Sequence, residues 1–251
     1  MEYTVTHKKQ DVIFGVSQRG GESVHLSGLK QYIAQRRWQV LVITLLLSAA
    51  VLLILLGRAF SWSGRTKDVE LLTVVGPQNP VPDELNLAFT LLENSEMVDS
   101  RCAEALNAML SDCRAEGLTP QITASFRTRE GQTALYNDEV RSLVQNGLTE
   151  EEARIRAAET VGTPGASEHE LGLAVDIRDA ADLTDVEGAA VQWLHKNAWR
   201  YGFVLRYPEG KESVTGYSYQ PFHFRYVGPD AAEQIDTLGI TLEEYVEMFY
   251  S

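Results

Sequence analysis

The sequence predicts an α+β fold: a small, largely antiparallel sheet with flanking helices, preceded by a single transmembrane helix. Three observations point there. After residue 84, helical and strand-like periods are mixed without regular β-α alternation. The run "VLVITLLLSAAVLLILL" at 40–56 carries no charge and no polar face. The proline-rich stretch "GPQNPVP" lies between these two regions and favours extended and turn conformations. The chain therefore divides into a tail (1–37), an anchor (38–60), a linker (61–83) and a domain (84–251).

The elements follow in order. Residues 1–37 mix polar, charged and glycine residues without a sustained period, as a flexible tail does. The apolar run at 40–56 spans about 25 Å as a helix, and Trp38, Phe60 and Trp62 stand where interfacial aromatics belong. A cleaved signal peptide is the weaker alternative, because the run exceeds the usual h-region of about 7–15 residues. Orientation is open: Lys30, Arg36 and Arg37 precede the span, and Arg58, Arg65 and Lys67 follow it.

In the domain, "DSRCAEALNAMLSDCRAEG" puts Ala103, Leu106, Met109, Leu110 and Cys113 at helical spacing. "TPQITASF" reads as a strand. "TREGQTALYNDEVRSLVQNG" is a helix closed by Gly147. "TEEEARIRAAETVG" is another, with Thr149 as its N-cap and acids in its first turn. "TPGASEHELG" is a turn-rich loop, "LAVDIRD" a strand, and "EGAAVQWLHKNAWRYG" a helix. "FVLRYP" and "FHFRYVG" are strands, and "TLEEYVEMFY" is a closing helix.

Charge and cysteine usage bound the function. Residues 1–67 hold nine Lys/Arg against three Asp/Glu, and the remainder holds thirteen against thirty-two. So acidic a domain argues against nucleic-acid binding, which needs positive charge against phosphate. Cys102 and Cys113 fall on one predicted helix, about 16 Å apart. That is too far for a disulfide, so two free thiols are expected.

Of the five histidines, His7 and His25 lie in the tail. His195, beside Lys196 and Asn197, is expected on a solvated helix face. His169 and His223 stand apart. In "LAVDI", Leu173, Val175 and Ile177 point one way, while Ala174 and Asp176 point the other. Asp176 is thus a carboxylate in an apolar strand, which is costly unless paired or metal-bound. In "PFHFRYVG", Phe222, Phe224 and Tyr226 take one face, and His223 and Arg225 the other. His169, Asp176 and His223 together would make two imidazoles and one carboxylate, the three-ligand pattern of a catalytic zinc site. Spacing alone does not single out this set.

Several separated motifs occur together. "SEHELGLAVD" fits S-x-H-x-x-G-x-A-x-D, and "QPFHFRYVG" resembles E-P-W-H-x-R-Y-V-G. With "ITASFRTREGQTALY", "NAWRYGFVLRYPEGKESVTGY" and "TLEEYV", these resemble the VanY-type D-alanyl-D-alanine carboxypeptidases, zinc peptidases that trim peptidoglycan stems. The resemblance runs from about Leu71 to Tyr250. It implies that His169, Asp176 and His223 bind Zn2+. It implies that Arg127 acts beside the scissile carbonyl or the substrate carboxylate, and that Gln132, Ser167 and Phe222 help hold a stem peptide ending in D-Ala-D-Ala. A substrate of that kind puts the domain outside the cytoplasm of a single-pass membrane protein.

Two positions depart from the pattern. Phe222 replaces the usual tryptophan and keeps an aromatic wall. Gln220 stands where the family carries the glutamate that takes a proton from the zinc-bound water. An amide cannot accept that proton near neutral pH. General-base help is worth about 10²–10⁴-fold. Glu168, Glu170, Glu209 and Glu212 are the carboxylates weighed as stand-ins, and none shares the strand spacing of Gln220. The expectation is a zinc D,D-carboxypeptidase-like protein with reduced activity. The alternative is a catalytically impaired homologue that binds zinc and stem peptide as a binding or sensing module.

Overall fold

The structure is a computed structural model that describes Ser48, residues 69–92 and residues 95–250. The tail and, apart from Ser48, the anchor lie outside the described residues. Among the described residues no helix is long and apolar enough to cross a membrane.

A short antiparallel hairpin, β1 (Phe89–Leu91) and β2 (Met97–Asp99), leads into α1 (Ser100–Ala115). The main sheet has the order β3-β4-β6-β5 and is antiparallel throughout. Its strands are β3 (Pro120–Ala124), β4 (Ala174–Asp179), β5 (Phe203–Tyr207) and β6 (Gln220–Tyr226). Two helices, α2 (Arg129–Gln145) and α3 (Glu150–Thr160), separate β3 from β4. Then come α4 (Ala189–Asn197) before β5, the short α5 (Glu212–Thr215) before β6, and α6 (Pro229–Leu238) and α7 (Leu242–Tyr250).

Local chemistry explains the boundaries. Asp99 caps α1 by accepting from the Arg101 amide at 2.9 Å. Thr149 and Glu152 close a reciprocal capping box on α3. Pro229 opens α6, where its missing N–H is no loss.

Strand alternation sorts the sheet into two faces. Val175, Ile177, Phe203 and Phe224 bury one face with Leu106, Met109 and Leu110 of α1 and Leu194 of α4. The other face carries Asp176, His223 and Arg225. Around Val204 it packs against Ala232 and Ile235 of α6 and Leu242 and Tyr245 of α7. The stretch expected to be a linker is partly built into the domain: Leu71, Val75 and Val81 lie in the main core. The Arg225 guanidinium donates to the carbonyls of Leu71 and Thr73 at 2.9 and 3.0 Å.

The expected loop at 163–172 contains a 3-10 turn, Glu168–Leu171, closed by Gly172 at φ +70°. His195 is not on a solvated face. The last turn of α4 lies against β6, so its Nε2 sits 2.6 Å from the Pro221 carbonyl and its ring contacts Phe224.

Gly202 tests the packing. It turns the chain into β5 at φ +82°, and a Cβ there would meet Tyr226 Cε2 at 2.7 Å and the Gly228 carbonyl carbon at 3.0 Å. Gly117, at φ +81°, has nothing within 4 Å. Gly117→Ala should cost about 1–2 kcal/mol from backbone conformation. Gly202→Ala adds overpacking of about 1–3 kcal/mol. Urea unfolding of both variants checks this, and equal losses would refute it. Both cysteines are free and buried. Burial pushes the Cys102 thiol up to about 12 and the Cys113 thiol up to about 11. Thiolate is the reactive form, so a disulfide reagent at pH 8 should label neither until the protein unfolds. Rapid labelling of the native protein would contradict this.

Candidate metal centre

The register of the sheet builds the centre. Asp176 of β4 pairs directly with His223 of β6, so both side chains rise from the same face. Ala124, at the end of β3, pairs with Asp176 from the other side. The next residue, Ser125, presents its carbonyl oxygen to His169 Nδ1 at 2.8 Å. A carbonyl only accepts, so His169 carries its proton on Nδ1 and leaves the Nε2 lone pair free. That Nε2 lies 3.4 Å from Asp176 Oδ1, and His223 Nδ1 lies 3.0 Å from the same oxygen. One ligand atom from each of the three residues lies within 4.8 Å of the others. The two imidazoles meet nearly edge-on, at 84°.

The donor set suits a cation. Asp176 Oδ1 is buried and makes no hydrogen bond despite the two rings beside it. Burial alone would raise the Asp176 carboxyl, but His169 and His223 outweigh it and hold the group well below the usual carboxylate range. Two neutral imidazole nitrogens and an ionised carboxylate around one point fit zinc with a fourth position open.

Beneath the centre is a buried ionic cluster. Glu168 Oε1 accepts from Arg206 Nε and Arg225 Nη1, each at 2.7 Å. Arg206 also binds Glu243 of α7 through both Nη atoms, at 2.9 and 2.6 Å. Burial pushes the Glu168 carboxyl upward, but the two guanidinium groups overcome that and keep it ionised.

A cleft of about 240 Å³ opens over the three metal-site residues. Arg127, Ser167, Gln220 and Phe222 line it, as does Arg178, whose guanidinium stacks 4.5 Å over the Phe222 ring. Phe222 is not on the core face with Phe224 and Tyr226. Pairing shifts between Leu205–Phe224 and Tyr207–Gln220, so the one residue of β5 between these pairs faces three of β6. The bulge swings Gln220 and Phe222 into the cleft.

Gln132 stands behind Arg127. It is fully buried, accepts from Arg127 Nη1 at 2.6 Å, and donates to the carbonyls of Val161 and Gly162. With its amide so engaged and outside the cleft lining, it holds Arg127 in place. Burial pulls the Arg127 guanidinium down, against the nearby Asp176, Glu170 and Glu96. It still remains a cation.

Gln220 donates its amide nitrogen to the Thr160 carbonyl at 2.9 Å. Of the carboxylates weighed as stand-ins for it, Glu168 is locked by two arginines. Glu170 is bound by Arg129 Nε and the Gly165 amide, both at 2.8 Å. Glu209 and Glu212 do not line the cleft. The sequence reading missed Arg178, Thr160, Tyr207 and Tyr217, all in the lining. Arg178 follows Asp176 by two residues on β4, so alternation does mark it; Thr160 at the end of α3, Tyr207 at the end of β5 and Tyr217 before β6 carry no such signal.

A family model described as "VanY: D-alanyl-D-alanine carboxypeptidase" matches residues 95–229. A D-alanyl-D-alanine carboxypeptidase of Enterococcus faecalis is 38% identical over 175 residues, which is 70% of this chain and 65% of that protein. The matched region is thus just under two thirds of that relative's length. Two solved structures are similar over 98% of their own chains. One, VanYB in complex with D-alanine-D-alanine, has a TM-score of 0.68 and 36% identity over 71% of this chain. The other is a mutant of the vancomycin-resistance D,D-pentapeptidase VanY in complex with Zn(II). Its TM-score is 0.67, with 37% identity over 70% of this chain.

The geometry predicts that the purified protein retains about one equivalent of zinc after dialysis. Asp176→Ala and His223→Ala should each lose it, while His195→Ala keeps it. Elemental analysis reads the stoichiometry, and zinc retained by Asp176→Ala would break the assignment.

Proposed function

Because this chain belongs to the VanY family of D-alanyl-D-alanine carboxypeptidases, we propose that it is a zinc carboxypeptidase-like protein acting on peptidoglycan stem peptides that end in D-Ala-D-Ala, with turnover limited by Gln220. The observation that carries the reading is the convergence of His169, Asp176 and His223 beside Arg127 in one cleft. His169, Asp176 and His223 would hold the zinc. Bound there, it would supply a polarised water with a pKa near 7.

The chain's own residues account for the rest. Arg127, fixed by Gln132, offers a stationary cation with several donors to a peptide carbonyl or a terminal carboxylate. Arg178 adds a second positive group to the same cleft in a chain of net charge −13. Opposite charge in a confined cleft favours an anionic peptide end. Ser167 and Phe222 contribute a hydroxyl and an aromatic wall.

Gln220 sets the rate. Its nitrogen is tied to the Thr160 carbonyl, which leaves its oxygen as a hydrogen-bond acceptor toward water. It orients a water but removes no proton. A carboxylate at this position would be repelled by the Thr160 carbonyl and would turn into the cleft.

The substrate lies outside the cytoplasm, and the uncharged stretch 40–56 would tether the domain there.

The test compares wild type with Gln220→Glu, measuring D-Ala release from peptides ending in D-Ala-D-Ala. Wild type should release D-Ala slowly, and the variant should gain at least about tenfold in kcat. It should also lose about 1 kcal/mol of stability with the Thr160 bond. Rapid wild-type release with no gain in the variant would overturn the rate-limiting role of Gln220. No release by either would favour a binding protein.

A further inference from the structure

We propose that Glu168 is a positioning residue for the metal centre: its Oε2 accepts the Nε2 proton of His223 and fixes the ring as the tautomer that turns its Nδ1 lone pair to the metal. This rests on the zinc reading above.

Three buried side-chain atoms make no hydrogen bond among the described residues: Glu168 Oε2, Asp176 Oδ1 and His223 Nε2. They lie on one line of contacts. His223 Nδ1 faces Asp176 Oδ1 at 3.0 Å, and His223 Nε2 faces Glu168 Oε2 at 3.7 Å. Such atoms are rare in folded proteins and call for a reason. A cation on Asp176 Oδ1, His169 Nε2 and His223 Nδ1 gives one. Such an ion would occupy the Asp176 oxygen and take the His223 Nδ1 lone pair, which would leave the ring proton on Nε2. Glu168 Oε2 is the acceptor waiting there. The 3.7 Å gap is too long for a hydrogen bond, and a shift of under about 1 Å brings it into range.

The surroundings suit an orienting role. Both guanidinium groups bind Glu168 through Oε1, which leaves Oε2 directed at the ring. Glu168 is buried at the base of the cleft, with its Oε1 shared by the two guanidinium groups. The two imidazoles are thereby held differently. His169 donates to the neutral Ser125 carbonyl, whereas His223 would donate to a carboxylate. A carboxylate partner raises the basicity of a ligating histidine, and removing such partners weakens metal binding by about 10–100-fold.

Two measurements test this. In zinc-loaded wild-type protein labelled with ¹⁵N-histidine, His223 should show a slowly exchanging proton on Nε2 and none on Nδ1. Glu168→Gln, checked for folding by circular dichroism, should lose about 10–100-fold in zinc affinity against a competing chelator. A purely structural role would lower the melting temperature and leave both the tautomer and the affinity unchanged. A His223 proton on Nδ1, or a folded Glu168→Gln with wild-type affinity, overturns the proposal. If the variant fails to fold, the wild-type spectrum decides. A wild-type protein that takes up no zinc removes this inference together with the metal assignment, whereas a folded Glu168→Gln with wild-type affinity removes this inference alone.

Discussion

Four charges meet inside this domain, and the rest of the site depends on their meeting. Glu168 and Glu243 face Arg206 and Arg225, two negative against two positive, with both arginines and Glu168 fully buried. Burying an ion is expensive, and breaking one partner of a buried pair costs about 3–5 kcal/mol. The four residues come from the 3-10 turn, β5, β6 and α7. Once paired, they lock the turn that carries His169 to the strand that carries His223. The metal-site geometry is therefore set from below, before any ligand arrives.

A second constraint is register. Asp176 and His223 are cross-strand partners, so a one-residue slip of β6 would send the imidazole into the apolar core. The bulge farther along β6 works in the opposite sense. It breaks alternation where alternation would have buried Phe222, and it delivers Gln220 and Phe222 to the cleft. Strand regularity makes the metal site, and strand irregularity makes the wall beside it.

Much of this was legible in the sequence. Periodicity located the helices and strands, since their buried faces follow the 3.6 and 2.0 repeats. Asp176 stood out as a charge in an apolar strand, and the structure brings it together with both histidines. The same reasoning applied to "FVLRY" and "FHFRY" would have flagged Arg206 and Arg225, which sit in apolar strands too. Their partner Glu168 was visible only as a flank of His169, because a pairing across four elements leaves no local pattern. Gln132 was read as touching substrate, but its spacing could not reveal that its amide closes onto Arg127 and the loop after α3. His195 was read from its polar neighbours, whereas its contact with Pro221 is tertiary.

Glu243 also bears on where this domain ends. The family match stops at residue 229 and includes all three metal-site residues, Arg127 and Gln220. Glu243 lies fourteen residues beyond, on the last helix. A fragment cut at the edge of the match would keep every side chain that faces the cleft. It would also strip both Nη groups of Arg206 of their acceptors in the sheet's interior. The region matched by the family model is thus smaller than the unit that balances these buried charges, and no ligand motif records that balance.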